Sequence, residues 1–374
     1  ASRAASPPSP LWALPEELLL LICSYLDAQA LGRLAQVCRR LRFLSSRDLL
    51  WRRIARGCLN SGFTQLGTDL AAGIPVKERV KVSQNWRHGR CRRETVLKWK
   101  CKQVASFSSS FPGLFVAPLS INGRCMSKGD AADTDSLPGD LFFRDGSIVL
   151  HKIHGSYSVK FSAHEQEVNC VDFQGGLIVS GSRDRTAKVW SLSTGRVGQC
   201  LHTNMRISKW FFVCLFFLNS SFVTGTACCG HTSPLRIWDL ESGQLMTSLG
   251  TDFHRGAGVL DVFYETPSLL LSCGYDTYIR YWDIRTSTRK CIQEWEEPHD
   301  SALYCIRSDK NHMIASGSSY YGVVRLWDKR QTRCLQSFHL SSPTSSPVYC
   351  LRFSTTHLYA ALASALHVLD FTAP

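Results

Sequence analysis

The sequence predicts a mainly β fold, a propeller of six or seven blades with a degenerate first blade, preceded by a small all-α segment. Three observations carry this. Trp190, Trp238, Trp282 and Trp327 each close a strand-like stretch, and they stand 48, 44 and 45 residues apart, the length of one four-stranded blade. Between them, short alternating apolar runs are separated by turn residues, which is the period of half-buried strands. Before them, residues 14–55 carry apolar side chains at helical spacing instead.

Residues 1–10 are rich in Ser, Pro and Ala and predict a disordered tail. Helix formation starts at Leu14-Pro15-Glu16-Glu17-Leu18. Proline suits a first turn, and two acids there face the positive end of the helix dipole. Apolar residues at 14, 18, 21, 22, 25 and 26 follow helical spacing. Asp27 is placed to cap a second helix with Leu31, Leu34, Val37, Cys38 and Leu41 on one side. A third segment, from Asp48 to Ala55, offers Leu50, Trp51 and Ile54 as anchors. Three short helices cannot bury all their apolar surface alone, so they need the next domain or a partner.

A basic connector follows over residues 57–95. Val76 to Arg87 predicts a helix ending near Gly89, and the alternation of Val96 to Cys101 predicts the first strand of the propeller at 96–374. Residues 103–147 lack a Trp-Asp ending, and only Arg144-Asp145-Gly146-Ser147, followed by an apolar stretch, marks the end of a blade.

The most complete repeat runs from His164 to Trp190. Trp-Asp or its equivalent recurs at Trp238-Asp239, Trp282-Asp283, Trp327-Asp328 and Leu369-Asp370. This pattern identifies WD repeats, and that resemblance implies a buried hydrogen-bonded chain of His164, Ser180, Asp184 and Trp190. Read so, His164 and Asp184 are structural struts rather than an acid–base pair. Other repeats keep part of the set: Ser272, Asp276 and Trp282 in one, His299, Ser316 and Trp327 in another. A terminal piece of this kind completes a ring by pairing with an N-terminal strand, which removes sheet edges.

Composition narrows the function. The formal net charge is +13, but residues 1–102 hold 19 Lys and Arg against 7 Asp and Glu, leaving 24 against 23 in the rest. The basic third favours an acidic protein surface over nucleic acid. The 16 cysteines are scattered without a CxxC pair, which predicts a reduced intracellular protein of the cytoplasm, with the nucleus as a second compartment, and neither a structural metal nor a cofactor. Glu16 and Glu17 stand where a signal peptide needs positive charge. The apolar run 210–218 is too short to span a bilayer, which takes roughly 20 residues, and reads as a buried strand. No nucleophile triad or phosphate loop is present in the sequence, so no enzyme is expected.

Leu14 to Leu18, Tyr25-Leu26-Asp27, Val37 to Arg42 and Leu50-Trp51 together resemble an F-box. From Leu11 onward, the order of motifs resembles the F-box and WD-repeat family, dactylin type, with atypical segments at 103–143 and 204–218. The resemblance implies that residues 11–56 dock on a Skp-family adaptor, and through it on a cullin and a RING subunit. Leu14, Pro15, Leu18, Ile22, Leu31, Val37, Cys38, Leu41 and Trp51 would make or support that contact. The propeller would hold a protein substrate for ubiquitin-dependent degradation, as in an SCF-type ligase. Arg183, Arg185, Tyr275, Arg280, Tyr320 and Tyr321, in or beside turns on one face, are the expected substrate contacts. The alternatives are a WD-repeat scaffold outside ubiquitination and a nucleic-acid-associated protein using the basic connector.

Overall fold

The N-terminal helices form for local reasons that the structure, a computed structural model, makes explicit. It describes residues 14–64, 67–98, 114–117, 146–152, 158–174, 176–192, 198–204, 212–218, 220–226, 233–250, 253, 256–297, 301–340, 346–362 and 365–372. Helix α1 (Glu16–Ser24) starts after Pro15 with both acids in its first turn. Helix α2 (Ala28–Val37) is capped by Asp27, whose Oδ1 accepts the Ala30 N–H at 2.7 Å. The second helix does not continue through Leu41 as the apolar spacing suggests. Cys38 adopts an extended backbone, φ −157° and ψ 167°, and its Sγ accepts the Leu41 N–H at 3.4 Å, opening α3 (Arg39–Ser45). Helix α4 (Asp48–Arg56) follows, so this region holds four short helices rather than three.

Their apolar surface is buried by the connector. Helix α5 (Val76–His88) ends at Gly89, whose φ of 68° is left-handed and suits glycine. Val76 and Val80 on one side of α5 complete a core with Cys23, Leu31, Leu50, Trp51 and Ala55. Val82 and Trp86, further along, join the core of the β domain. Trp86 stacks on Phe371 with ring centroids 3.6 Å apart, and its indole N–H donates to the Thr355 carbonyl at 2.9 Å. Asn85 donates to the Phe371 carbonyl, and Asn60 to that of Ser354, both at 2.7 Å. The Asp309 carboxylate accepts the Asn60 N–H at 2.9 Å, and Arg330 donates to the Gly57 carbonyl at 2.8 Å. The helices are thus fastened to the β domain by both packing and directed hydrogen bonds.

The described strands form six antiparallel sheets. The first has Leu114–Ala117, Ser147–Lys152 and Ser158–Ser162. The second has Val168–Gln174, Leu177–Ser182, Ala187–Ser191 and Gln199–Asn204. The third has Phe212–Leu218, Ser221–Thr226, Leu235–Asp239 and Leu245–Leu249. The fourth has Val259–Thr266, Leu269–Gly274, Tyr278–Asp283 and Gln293–Glu296. The fifth has Leu303–Ser308, Met313–Ser318, Val323–Asp328 and Cys334–His339. The sixth has Val348–Phe353, His357–Leu362 and Ala365–Asp370, completed at its outer edge by Arg92–Lys98.

Each sheet's leading strand packs beside the leading strand of the next, from the first sheet to the sixth, as expected of a propeller's inner strands. The strand Arg92–Lys98 pairs antiparallel with Ala365–Asp370, Arg92 opposite Asp370. It begins four residues before the alternation at Val96. Val96 is exposed and Leu97 sits at a register shift, so alternation there does not mark the strand's start. The apolar stretch Phe212–Leu218 is the inner strand of the third sheet, between the inner strands of the second and fourth. The rest of the atypical segments, 103–113, 118–143 and 205–211, lies outside the described residues.

Close packing of the sheets is built into particular residues. A Cβ on Gly274 would run into the Gly258 carbonyl, so only glycine lets those chains approach. Inner strands of the second, fourth, fifth and sixth sheets each carry a register shift next to their first residue, at Asn169, Leu260, Tyr304 and Tyr349. Such a bulge turns a side chain out of the regular pleat.

Candidate functional site

Two surfaces stand out among the described residues. The first is on the helices. Leu18, Leu21, Ile22 and Tyr25 are 46%, 53%, 46% and 75% exposed. They stand at i, i+3, i+4 and i+7 and so form one apolar stripe along α1. Val37, Phe43 and Leu49 are exposed as well. The stripe lies opposite Leu19 and Cys23, which face the core. Exposed apolar residues in such number mark a contact surface.

The residues expected to meet an adaptor divide into two groups. Pro15, Leu18, Ile22 and Val37 are exposed, and Leu14 is half-buried against the core. Leu31, Leu41 and Trp51 are buried, and the Trp51 indole N–H donates to the Ser45 carbonyl at 2.6 Å. Those three shape the surface from inside, and Cys38 caps a helix. Leu21, Tyr25, Phe43 and Leu49 complete the surface but are not among the expected adaptor contacts. The i, i+3, i+4, i+7 spacing was available for the first two; their direction was not.

The second surface follows from topology. Turns between the first and second, and between the third and fourth, strands of each blade share one face. The helices attach there, at Asp309, Arg330, Ser354 and Thr355. The turns between second and third strands therefore lie on the opposite face. Arg183, Arg185, Tyr275, Tyr320 and Tyr321 occupy those turns and are exposed. Arg183 reaches Glu167 at 3.3 Å. Arg280 belongs to a strand instead: it ion-pairs with Asp276 and with Glu294, the latter at 2.9 Å, and lies over the Phe253 ring at 4.7 Å. It lines a groove of about 560 Å³ with Phe253, Tyr278 and Trp282.

Between the two faces run the struts. His164 Nδ1–H donates to Asp184 Oδ2 at 2.8 Å, the Ser180 hydroxyl donates to His164 Nε2 at 2.7 Å, and the Trp190 indole N–H donates to Ser180 Oγ at 2.8 Å. Burial pushes the His164 pKa down, which keeps the neutral ring that these roles require. Burial opposes the Asp184 charge, yet hydrogen bonds from His164 and Thr186 hold its carboxyl far below the usual range. The indole-to-hydroxyl bond recurs at 2.9 Å in Trp238–Thr224, Trp282–Ser272 and Trp327–Ser316. His299 lies outside the described residues. Among the described residues, no group of three His, Cys, Asp or Glu is arranged to hold a metal, and no helix is long and apolar enough to cross a membrane.

Comparison with known proteins fits this division. The F-box-like family model matches residues 11–57, and the WD domain, G-beta repeat model matches 155–191, 243–283 and 289–328. The chain is 61% identical to the human F-box/WD repeat-containing protein 4 over 344 residues, covering 87% of this chain and 83% of that protein. The mouse protein of the same name is also 61% identical, covering 84% and 82%. The probable E3 ubiquitin ligase complex SCF subunit sconB of Penicillium rubens is 27% identical over 50% of this chain and 31% of its own length. The computationally designed Ika8 protein superposes with a TM-score of 0.51 at 22% identity, covering 71% of this chain and 70% of that one, a likeness of fold alone.

Proposed function

This chain belongs to the F-box and WD-repeat family, in its dactylin branch, and on that premise we propose that it is the substrate-recognition subunit of an SCF-type ubiquitin ligase. The α1 stripe of Leu18, Leu21, Ile22 and Tyr25 docks on a Skp-family adaptor, by the apolar helix-to-groove logic of such contacts. The adaptor joins it to a cullin and a RING subunit. The propeller presents a protein substrate on the face opposite the helices. The chain does no chemistry itself; it contributes proximity, which is enough to accelerate transfer between two held partners.

The observation that carries this reading is the rigid junction. A docking stripe and a ring face are joined through α5, with Trp86, Asn85, Asn60 and Arg330 all engaged. A scaffold outside ubiquitination would not need the stripe held at a set angle to the ring. The named sconB subunit supports the same role.

The test separates surface from core. Leu18→Asp with Ile22→Asp should abolish capture of the Skp-family adaptor while leaving the melting temperature within about 2 °C, since both side chains are exposed. Full adaptor capture by this double variant, correctly folded, would falsify the docking assignment. Trp51→Ala, by contrast, should lose about 3–5 kcal/mol of stability, and any loss of binding there reports unfolding.

A further inference from the structure

Five tyrosines meet at one sector of the face opposite the helices. Tyr304 and Tyr349 stand at the bulges of the fifth and sixth inner strands, with ring centroids 5.9 Å apart and planes at 43°. Tyr320 and Tyr321 fill the turn above the fifth sheet, 6.1 Å apart at 48°. Tyr275 stands in the equivalent turn of the fourth sheet. Tyr275, Tyr320 and Tyr321 are 46%, 59% and 64% exposed, while Tyr304 and Tyr349 are half-buried.

The turn is held in place. Tyr321 has a left-handed φ of 62°, an uncommon conformation for a residue with a side chain. The Ser318 hydroxyl donates to the Tyr320 carbonyl and accepts the Val323 N–H at 3.2 Å. The Ser319 N–H donates to the Ala302 carbonyl at 2.8 Å, and the Gly322 N–H to that of Ser346 at 2.7 Å. Strain maintained by neighbours is a common property of binding turns.

The chemistry of the sector is that of an acceptor. Three arginines of the fourth and fifth sheets are paired: Arg325 with Glu297 at 2.6 Å, Arg307 with Asp261 at 2.6 Å, and Arg280 with both Asp276 and Glu294. Burial and the neighbouring Arg307 pull the Arg352 pKa down, with Asp261 and Asp172 acting in the opposite direction. Burial pushes the Tyr304 phenol up, and Tyr275, Tyr349 and Tyr320 push the same way. Surroundings that resist a phenolate also resist a phosphate. Ring faces and phenol oxygens attract the opposite sign, and a guanidinium both stacks on the former and donates to the latter. The ring domain is near neutral, with 24 basic and 23 acidic residues after position 102, so local chemistry rather than global charge decides.

We infer that the sector formed by Tyr275, Tyr304, Tyr320, Tyr321 and Tyr349 seats an unphosphorylated, arginine-bearing segment of a protein substrate. This rests on the substrate-receptor reading of the same face and names its substrate class. Arg183 and Arg185 stand in the turn of the second sheet, two sheets away from Tyr275 in ring order, and take no part.

The probes are immobilised pools of randomised peptides, identical except for a fixed central arginine, citrulline, phosphoserine or proline. The full chain is applied to each at about 0.15 M salt, where exposed charges further apart than a Debye length are screened. The arginine pool should retain at least tenfold more chain than the citrulline pool, with phosphoserine no better than citrulline. Tyr320→Ala with Tyr321→Ala should reduce retention to the citrulline level. Tyr320→Phe with Tyr321→Phe, which keeps the rings, should preserve most of it, and Arg183→Ala should change nothing. Best capture by the phosphoserine or proline pool, capture by none, or arginine capture that survives the double alanine change overturns the inference. Adaptor capture by the same preparations is scored separately. Its loss would count against the ligase reading alone, because the tyrosines lie on the face away from α1.

Discussion

The Ser180 hydroxyl serves two partners at once: it donates to His164 and accepts from Trp190. Replacing it with alanine strands a buried imidazole nitrogen and a buried indole N–H, each costing about 1–3 kcal/mol. Ser180→Ala should therefore lose about 2–4 kcal/mol of stability in urea unfolding, against roughly half that for Thr224→Ala, where the described bond is the single indole contact. The same chain sets a pH dependence. His164 has a folded pKa below its unfolded value near 6.5. The unfolded chain thus binds a proton that the fold refuses, and stability falls as pH drops from about 7 toward 5. Asp184, also lowered in the fold, adds a further loss below about pH 4, where the unfolded carboxylate protonates first. Thermal melts at pH 7, 6 and 5 check the first window, and a His164→Gln variant should flatten it. These residues were legible because each polar type recurs at its blade position. The ion pairing of Arg280 was not, since Glu294 faces it across a strand pair that no spacing rule reveals.

Among the elements, α5 connects two cores. Its length was legible from Val76 to Gly89; the division of its faces was not, because residues that pack on different domains are equally apolar. Trp86 is fully buried between Phe371 and Phe353. Trp86→Ala should lose about 3–5 kcal/mol and expose the connector to limited proteolysis, while Val80→Ala should weaken the helical core instead. Opposite outcomes in the two variants, read by cleavage mapping, would reverse the assignment of faces. The break between α2 and α3 was missed for a specific reason. Ser, Thr, Asp and Asn are the usual capping residues, and a cysteine in an apolar helical run gives no stop signal. Its sulfur nonetheless accepts the Leu41 N–H and lets the chain turn, and that turn brings Leu41 and Leu44 against Leu19. The helical stripe on α1 shows the converse. Every one of its residues was visible as apolar, yet whether such a residue faces core or solvent depends on neighbours supplied from α3, α4 and α5.

At the scale of the molecule, the repeat of tryptophans foretold the sheets, and the closing strand's existence was expected, but its position was not. Arg92–Lys98 carries four charged residues in seven and finds its partner more than 260 positions later. Pairing at that distance leaves no local trace, and an outermost strand has little apolar surface to show. Because the strand is held by the sixth sheet and α5 by its own contacts, a chain cut at an engineered protease site between Gly89 and Cys91 should still migrate as one particle in size-exclusion chromatography. Separation of the pieces would mean that the covalent link, not the packing, unites the two parts. The same closure orders events in time. Ala365, the partner of Lys98, lies 267 residues downstream, which at roughly 5–20 residues per second of synthesis is a wait of about 13–53 s. For that interval the helices have all their own core residues, from Leu19 to Val80, while Trp86 and one strand edge stand uncovered. A nascent chain of this kind presents its apolar α1 stripe before it possesses a finished ring, so the proposed handle emerges earlier than the proposed substrate face.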